Sequence, residues 1–533
     1  MKNRLIISLC ITTFAGSVFI TSGKFVNTTN TPKFYFVFAC ILLITALVAI
    51  SRKSINFQTI RSKTILWGIS VICFLQAGYA LVQFVGWFQS NHSKFAITGS
   101  FDNPAGFAAV LAIGFPIGLF LLAKAKKVER YLASAFLVLI VIAVFLSDSR
   151  TGILAIIISS VVFLLFKTNI MSKFRQLRNY KLLSGLALGL IVGGAFMLYS
   201  QKKDSANGRL LIWKVSSYMI KTKPFLGHGY GAFKAKYMNY QAEYFKNNPN
   251  SNFELLADNV KHPFNEFIKV AVEFGLNGLI ILLSFILFVL HKIMKSKSEN
   301  RVFALSGLAA FLVLACFSYP LQYVSSWLLL AFYISTLLPS KEIEIKVTPI
   351  SITTRGVIVI ACIFYIVHTF RQIRAEIKWK TIAVSSLRGN TDEMLPEYGK
   401  LYSTLLKQTP FFLYNYGAEL NVAGRFDQSI NILVECQKRF NDYDLQMLLA
   451  DNYRKKGKYN DAIILYEHAS NMIPCRFYPM YQLFKIYRET KDNVQARKIA
   501  KEIMIKEVKI PSYSVDFIKE EAKEYVASTI RND

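Results

Sequence analysis

Acidic residues are scarce in the first part of this 533-residue chain. Residues 1–370 contain 12 Asp and Glu against 37 Lys and Arg, whereas residues 371–533 contain 21 against 26. The whole chain is 53% hydrophobic, only 18% charged, and carries a formal net charge of +30. This composition excludes a disordered chain and most soluble enzymes. It predicts a membrane protein up to residue 370 and a soluble region after it.

Metal-binding and nucleic-acid-binding patterns are also missing. The seven cysteines form no Cys-x-x-Cys pair and mostly lie in apolar runs, so we expect small buried side chains rather than a zinc or disulfide framework. No carboxylate cluster indicates a metal ion, and we predict neither a metal nor a cofactor. Lysines and arginines stand between apolar runs instead of forming one stripe, which argues against nucleic-acid binding.

Long apolar runs are abundant. Eleven are candidates to cross about 30 Å of hydrocarbon. They lie at 5–20, 34–50, 64–85, 106–123, 131–147, 152–167, 182–200, 267–290, 302–319, 325–338 and 354–370. The first is interpreted as a signal anchor, because no clean small-x-small cleavage site precedes Thr21 and a second run follows closely. The predicted fold class is all-α: a polytopic membrane protein with about 11 transmembrane helices.

Basic residues concentrate on alternate connections between these runs. Five connections are rich in Lys and Arg, namely 51–63, 124–130, 167–181, 291–301 and 339–355. The short opposite connections contain only Lys24, Lys33, Lys94 and Arg150. The positive-inside rule places the basic set in the cytoplasm. We therefore expect the loop 201–266 and everything after residue 370 in the periplasm, with the protein in a bacterial inner membrane.

The sequence divides into three regions. Residues 1–370 form the predicted transmembrane domain, in which 201–266 is a large periplasmic loop. Residues 371–394 are interpreted as a linker helix and 395–533 as a helical repeat domain. In the repeat domain small and aromatic residues recur at shifts of 33 and 34, as in Gly424 and Gly457 or Ala462 and Ala496. This pattern resembles the tetratricopeptide repeat, which predicts an α-solenoid with a concave face for a protein partner.

Two arginines are candidates for anion binding. Arg150 begins a predicted span, where an arginine is costly unless it meets an anion or an internal partner such as Asp148. Arg209 is expected to open an amphipathic helix over 209–220 that lies at the membrane surface. A guanidinium offers a rigid fork to phosphate oxygens. The alternative for Arg150 is extension towards the lipid headgroups or pairing with Asp148, and the alternative for Arg209 is a plain surface charge.

Histidine and glutamate candidates follow along the loop. A neutral imidazole at His262 can take a proton from a hydroxyl near neutral pH, and a capping role is the alternative. His228 stands between two glycines, in a turn near substrate or membrane. Glu266 and Glu273 are seven residues apart and share a helix face. Glu273 is interpreted as part of a structural network.

The ordered set of motifs resembles the O-antigen ligase and polymerase superfamily, which includes protein O-oligosaccharyltransferases. The motifs are Asn103-Pro104, Ser147-x-Ser149-Arg150-x-Gly152, Arg209-x-x-x-Trp213, Pro224-x-x-Gly227-x-Gly229-x-Gly231-x-Phe233, His262-x-x-Asn265-Glu266 and Glu273-x-Gly275-x-x-Gly278. Many relatives carry His immediately before the Asn of the His262 motif, where this chain has Phe264. A base at that register is the alternative to His262.

In that family a glycan on undecaprenyl pyrophosphate passes to an acceptor hydroxyl. The resemblance implies that Arg150 and Arg209 hold the pyrophosphate and that His262 activates the acceptor, in a metal-independent inverting transfer. We expect the remaining motif residues to bind substrate. They are Asn103, Ser149, Trp213, His228, Tyr230, Asn265 and Glu266.

The leading hypothesis is a glycosyltransferase that acts on lipid A core or on a protein Ser or Thr, as in lipopolysaccharide or glycoprotein biosynthesis. A polymerase that joins lipid-linked repeat units is the alternative within the same chemistry. A non-catalytic scaffold or transporter is less consistent with polar motifs that gather on one face around a single long loop.

Overall fold

The protein is described by a computed structural model that covers residues 2–50, 62–167, 203–296, 300–337 and 349–530. Within these ranges the chain forms 20 α-helices and no β-strand. In chain order the first twelve are α1 (Lys2–Phe19), α2 (Asn30–Ile50), α3 (Lys63–Phe84), α4 (Pro104–Lys124), α5 (Val128–Leu146), α6 (Arg150–Lys167), α7 (Lys203–Thr222), α8 (Ala232–Asn247), α9 (Glu266–Lys295), α10 (Asn300–Phe317), α11 (Val324–Ile334) and α12 (Pro349–Ser386). The remaining eight are α13 (Thr391–Tyr402), α14 (Pro410–Val422), α15 (Phe426–Gln437), α16 (Tyr443–Lys455), α17 (Tyr459–Met472), α18 (Tyr478–Glu489), α19 (Asn493–Ile505) and α20 (Tyr513–Ile530).

The all-α polytopic architecture is confirmed. Eight helices of the described ranges, α2 to α6, α9, α10 and α12, are long and apolar enough to cross a membrane. The runs predicted at 5–20 and 325–338 form shorter apolar helices, Arg4–Phe19 and Val324–Ile334. The run predicted at 182–200 lies outside the described residues, so the total of eleven stays a prediction.

The chain folds as two compact units. The first, called the membrane unit here, consists of the described parts of 1–198, 264–267 and 281–380. The second, called the loop-repeat unit, consists of the described parts of 199–263, 268–280 and 381–533. Residues 371–386, predicted as part of a linker, continue the helix α12 that begins at Pro349.

Helix α4 forms the centre of the membrane unit. It is buried along most of its length because its neighbours α3, α5, α6, α10 and α11 pack around it. Small residues allow this close packing. A methyl group on Gly114 would lie 2.7 Å from Cys73 Sγ, and one on Gly118 would lie 2.7 Å from the Leu137 side chain.

Three helical hairpins with the same turn occur in the loop-repeat unit. The hairpins are α14/α15, α16/α17 and α18/α19, and each turn has one residue in the left-handed region, Gly424, Gly457 or Lys491. The small residues predicted at the repeat positions, Ser429, Ala462 and Ala496, are fully buried. The repeated helical hairpin is thus present, while its assignment to the tetratricopeptide class stays a prediction.

Helix α9 is broken at Gly275, which has φ 67° and ψ −168°. The break frees backbone groups on both sides, and the loop before α8 pairs with them. Leu276 N and Asn277 N donate to Pro224 O and Phe225 O, at 2.7 and 3.3 Å. Two hydrogen bonds run the other way, because the N–H groups of His228 and Gly229 donate to Val272 O and Glu273 O, both at 2.9 Å. The loop therefore restores the pairing that the helix loses.

Candidate functional site

Asn103 caps the central helix of the membrane unit. Its Oδ1 accepts hydrogen bonds from the N–H groups of Ala105 and Gly106, at 2.8 and 3.4 Å, and Pro104 occupies the first helical position. The pattern is a helix N-cap followed by a proline whose missing N–H costs nothing there. Gly106 is needed because a Cβ at this position would lie 2.5 Å from the Tyr323 ring.

The Ser149 motif builds the start of α6 in a similar way. Asp148 adopts a left-handed conformation with φ 58°, and Ser149 Oγ accepts from Gly152 N at 3.3 Å. Gly152 allows α6 to approach α4, since its Cβ would lie 2.9 Å from Ala108 Cβ. Arg150 is the first residue of α6. The motif thus fixes the position of Arg150 at the start of α6.

The end of α10 and the connection to α11, residues 316–323, contact several motif residues of the membrane unit. Asn265 Nδ2 donates to Cys316 O at 2.9 Å, and Glu266 Oε1 accepts from Leu321 N at 3.0 Å. Thr151, next to Arg150, reaches Phe317 O at 3.4 Å. The short connection therefore ties the Arg150 motif to the end of the His262 motif.

Two tyrosines of this connection complete the cluster. Tyr319 OH accepts from Asn103 Nδ2 at 3.2 Å. Tyr323 OH donates at 3.2 Å to Asn103 Oδ1 and to the carboxylate of Asp102. The Phe264 ring packs on Tyr319 with 5.3 Å between centroids. The sequence reasoning missed both tyrosines, although a Tyr-Pro-x-x-Tyr pattern in a short exterior connection was available as a signal.

Helix α7 carries Arg209 and Trp213 in the loop-repeat unit. The helix begins at Lys203, so the expectation that Arg209 opens it is wrong: the arginine lies almost two turns further along. The apolar face of α7, Leu211, Ile212, Val215 and Met219, is buried in the protein. It is therefore not the membrane-facing surface expected from its amphipathic pattern. Arg209 and Trp213 are four residues apart and share one face.

Trp213 supports the segment that contains His262. Its indole Nε1 donates to Pro263 O at 2.9 Å. Arg209 lies one turn before Trp213 on the same face of α7. Within the loop-repeat unit Trp213 thus contacts the segment of His262, and the grouping of Arg209 with His262 stays a prediction.

His262 lies in a strongly basic environment. Burial and the positive charges of Lys234, Lys269 and Lys261 together lower the pKa of its imidazole to about 3. Burial, Lys269 and Lys261 also lower the pKa of Lys234, against the opposing charge of Glu273. The imidazole is therefore neutral at physiological pH and able to accept a proton.

The residues on the N-terminal side of His262 are held by the repeat hairpins. Asn259 Oδ1 accepts from Tyr443 N at 3.1 Å, and its Nδ2 donates to Asp444 Oδ2 at 3.1 Å. The Lys261 ammonium lies 5.2 Å from the ring centroid of Phe411. These contacts fix the segment immediately before the histidine against α14 and α16.

Helix α8, which carries Lys234, packs on the same hairpins. Lys234 O accepts from Asn441 N at 3.1 Å, and Asn441 Nδ2 donates to Asn239 Oδ1 at 2.6 Å. The buried amide of Gln241 donates to Met472 O at 2.6 Å. Buried hydrogen-bonded amides specify one register for the contact between α8 and the repeats.

His228 and Tyr230 occupy the glycine-rich loop between α7 and α8. The His228 Nε2 atom lies 2.8 Å from Met219 O, in the last turn of α7, and 3.2 Å from Thr222 Oγ1. Burial lowers the pKa of His228, and the positive charges of Lys236 and Lys223 add to the effect. Tyr230 is 89% exposed. Their predicted contact with substrate stays a prediction.

Glu273 has a structural partner in the same unit. Its carboxylate accepts hydrogen bonds from the N–H groups of Gly231 and Phe233, at the start of α8. A carboxylate at a helix N-terminus satisfies free N–H groups and complements the helix dipole. The glycines have a related role, because a Cβ on Gly227 would lie 2.5 Å from the Glu273 backbone. The glycine motif therefore joins α8 to the broken helix α9.

Metal ligands do not cluster in the part of the chain that the structure describes. No group of three or more His, Cys, Asp or Glu side chains suited to a metal ion occurs there. The charged groups that act on the pKa of His262 are lysines.

Comparison with known proteins finds similarity to an O-antigen ligase family and to proteins named as polysaccharide ligases. A model of the family described as O-antigen ligase matches residues 135–283. That stretch includes every predicted site residue except Asn103. A Rickettsia felis protein named "Putative polysaccharide ligase" is 26% identical over 224 residues, which cover 40% of this chain and 52% of that protein. A Rickettsia typhi protein of the same description is 26% identical over 218 residues, covering 38% and 51%. The chain spans about half the length of the curated relatives it matches.

Proposed function

We propose that this protein transfers a glycan from an undecaprenyl-pyrophosphate carrier to an acceptor hydroxyl on the periplasmic face of a bacterial inner membrane. The similarity of residues 135–283 to O-antigen ligases supports the reaction class. The observation that carries the proposal is the neutral His262 among Lys234, Lys261 and Lys269, next to Trp213 and on the side of α7 that carries Arg209. The base can accept the proton of an acceptor hydroxyl. The excess positive charge can stabilise a pyrophosphate leaving group.

The proposed step is an inverting displacement at the anomeric carbon. The acceptor oxygen forms the new C–O bond while the bond from the sugar to pyrophosphate breaks, and the hydroxyl proton passes to His262. Burial and three lysine charges make the imidazole a weak base in the free protein. An arriving pyrophosphate opposes those charges and raises the basicity of the histidine. Binding of the donor therefore makes His262 a stronger base before the acceptor hydroxyl reacts.

Arg209 and Arg150 are proposed to bind the pyrophosphate. A guanidinium pairs with phosphate oxygens through two parallel hydrogen bonds and stays charged throughout. In this proposal arginine, rather than a metal ion, stabilises the charge that develops on the leaving group. Asn103, Ser149, Trp213, Asn265 and Glu266 are proposed to bind the substrate beside them. Tyr230 and His228 remain candidates for substrate contact.

Lipid A core and a protein Ser or Thr are the proposed acceptors. The repeat hairpins offer a surface for a protein partner, in the manner of helical repeat proteins. A polymerase would instead use a second lipid-linked glycan as acceptor. The acceptor panel of the test below distinguishes these outcomes.

The test measures transfer by the purified full-length protein. Undecaprenyl-pyrophosphate-linked oligosaccharide is the donor, and lipid A core, a Ser/Thr-rich polypeptide or a second donor molecule is the acceptor. His262→Ala is expected to lower kcat about 10²- to 10⁴-fold, the usual contribution of a general base, with donor binding nearly unchanged. Arg209→Ala is expected to abolish transfer and to weaken donor binding as well.

The control is His92→Ala, since His92 lies in another loop and its ring accepts only a local hydrogen bond from Lys94 N at 3.1 Å among the contacts described. This variant should keep wild-type turnover. Full activity of His262→Ala would refute the assignment of the base. Absence of transfer by the wild-type protein to any of the three acceptors would refute the proposed reaction.

A further inference from the structure

An apolar tip projects from the loop between α7 and α8. Phe225 is 65% exposed and Leu226 is 80% exposed. Both lie in a segment that is otherwise tightly held, because its backbone makes the four hydrogen bonds to α9 on either side of Gly275. Two adjacent large apolar side chains fixed in an exposed position indicate a surface that contacts something apolar.

The break at Gly275 lies where α9 would enter the hydrocarbon. Lys269 and Glu273 precede the break, whereas residues 276–290 contain no charged side chain. The 20 residues from Leu276 to Lys295 form a helix about 30 Å long at 1.5 Å per residue, which matches the thickness of the hydrocarbon core. The loop that pairs with the break is therefore held at the boundary between hydrocarbon and headgroups.

Side chains suited to that boundary surround the tip. Lys221 and Lys223 are exposed just before it, and Tyr230 is 89% exposed just after it. Tyr218 in the last turns of α7 is also exposed. Tyrosine rings concentrate at membrane interfaces, and lysines there extend their ammonium groups towards phosphate. The apolar tip and its basic, aromatic rim are the pattern of an interfacial anchor.

We propose that residues 221–230 insert into the bilayer beside α9, with Phe225 and Leu226 among the acyl chains and Lys221 and Lys223 at the headgroup phosphates. The occupant of this surface is bulk phospholipid. Continuity with α9 carries the assignment, because Leu276, Ile280 and other exposed apolar residues of the same helix continue from the break into the hydrocarbon.

The test uses photo-crosslinking of the full-length protein in nanodiscs made only of phosphatidylcholine and phosphatidylglycerol. Leu226 is replaced by p-benzoylphenylalanine, and lipid adducts are counted by mass spectrometry. The positive control is the same replacement at Leu287, an exposed residue within the apolar stretch of α9. The matched negative control is Val494, which is 79% exposed in the repeat hairpins. We expect the adduct yield at position 226 to approach that at 287 and to exceed that at 494 at least 10-fold.

Three outcomes would overturn the proposal. One is a yield at position 226 that equals the yield at 494. Another is adduct formation only after undecaprenyl pyrophosphate is added, which would identify the carrier as the occupant. The third is crosslinking of position 226 to a second copy of the chain. A parallel replacement at Phe225 checks that the result does not depend on a single side chain, and elution as one symmetric peak shows that each variant is folded.

Discussion

Burial is the largest cause of the low pKa of His262, and the positive charges of nearby lysines add to it. Lys234, Lys269 and Lys261 all act in the same direction as burial on its pKa. In the free protein the imidazole therefore stays neutral at pH values near 6.5, where an ordinary histidine titrates. The acid limb of the rate profile should therefore lie at a lower pH than an unperturbed histidine would give.

Removing one lysine charge should move that limb. In Lys269→Gln the pKa of His262 rises from about 3 towards its ordinary value, because one repulsive charge is lost. Protonation then removes the base at a higher pH, so kcat/KM falls earlier as the pH decreases. The measurement is kcat/KM over a pH range that extends below the wild-type value of about 3.

Lys246→Gln is the control for this prediction. Lys246 is exposed and acts on the pKa of His468, and it is not among the causes of the shift at His262. Its profile should coincide with that of the wild-type protein. Coincidence of the Lys269→Gln profile with wild type would contradict the electrostatic account of His262.

At the scale of helices, the sequence located most apolar elements correctly. Hydropathy predicted α2 to α6, α9, α10 and α12 because a helix in hydrocarbon must be apolar over its whole length. The same reasoning placed α7 at the membrane surface, since an amphipathic pattern only states that one face is buried. Leu211 and Val215 are in fact covered by protein. Periodicity does not identify the surface that covers an apolar face.

The glycine motif was recognised, but its structural role could not be predicted. Gly227 and Gly275 are 48 positions apart in the sequence. Their close approach depends on the break in α9, which no local sequence pattern predicts. The cap that Glu273 provides for α8 and the contact of Tyr323 with Asn103 are likewise long-range. Such contacts depend on tertiary packing. A single sequence shows the residues but not which of them pair.

Gly275→Ala tests the backbone contact between the loop before α8 and the break in α9. A Cβ at this position would collide with the carbonyl of Phe225, and the backbone has φ 67°. We expect a loss of about 2 kcal/mol or more in stability, since the left-handed conformation alone costs about 1–2 kcal/mol for a residue with a Cβ. The thermal midpoint of the purified protein should fall by several degrees.

Gly208→Ala is the matched control, because no atom lies within 4 Å of a Cβ at that position and its φ is not positive. Alanine in place of glycine within α7 should preserve or slightly raise the thermal midpoint. Equal midpoints for the Gly275 and Gly208 variants would show that the break does not require glycine.

At the scale of the whole molecule, the repeat hairpins are bound to the loop that carries the proposed base. Asn259→Ala removes the hydrogen bonds to Tyr443 N and Asp444 without touching His262. We expect kcat to fall roughly 10-fold with a small change in KM, because a base that is less well positioned loses rate rather than affinity. Steady-state kinetics with the donor varied provide the measurement.

The control for this contact is Lys456→Ala, which removes an ion pair with Asp427 inside the repeat region. An exposed pair of this kind contributes little to stability, and turnover should match the wild-type protein. If Asn259→Ala leaves kcat unchanged, or if Lys456→Ala lowers it equally, the hairpins do not position the His262 segment.

The predicted topology can be tested on intact cells. Gln428 is exposed in the second helix of the first repeat hairpin, and Lys126 is exposed in the connection between α4 and α5. Under the positive-inside prediction, Gln428→Cys should react with a membrane-impermeant maleimide in spheroplasts, whereas Lys126→Cys should react only after lysis. The reverse labelling pattern would show that the orientation is opposite to the predicted one.

The contacts of Asn441 and Tyr443 with the loop also affect the order in which the protein matures. Asn441 is synthesised 207 positions after Lys234, and Tyr443 is synthesised 184 positions after Asn259. The ribosome has therefore released the membrane helices of the described chain before the partners of the His262 segment exist. The hydrogen bonds that hold the segment before His262 can therefore form only after the repeat hairpins have been synthesised.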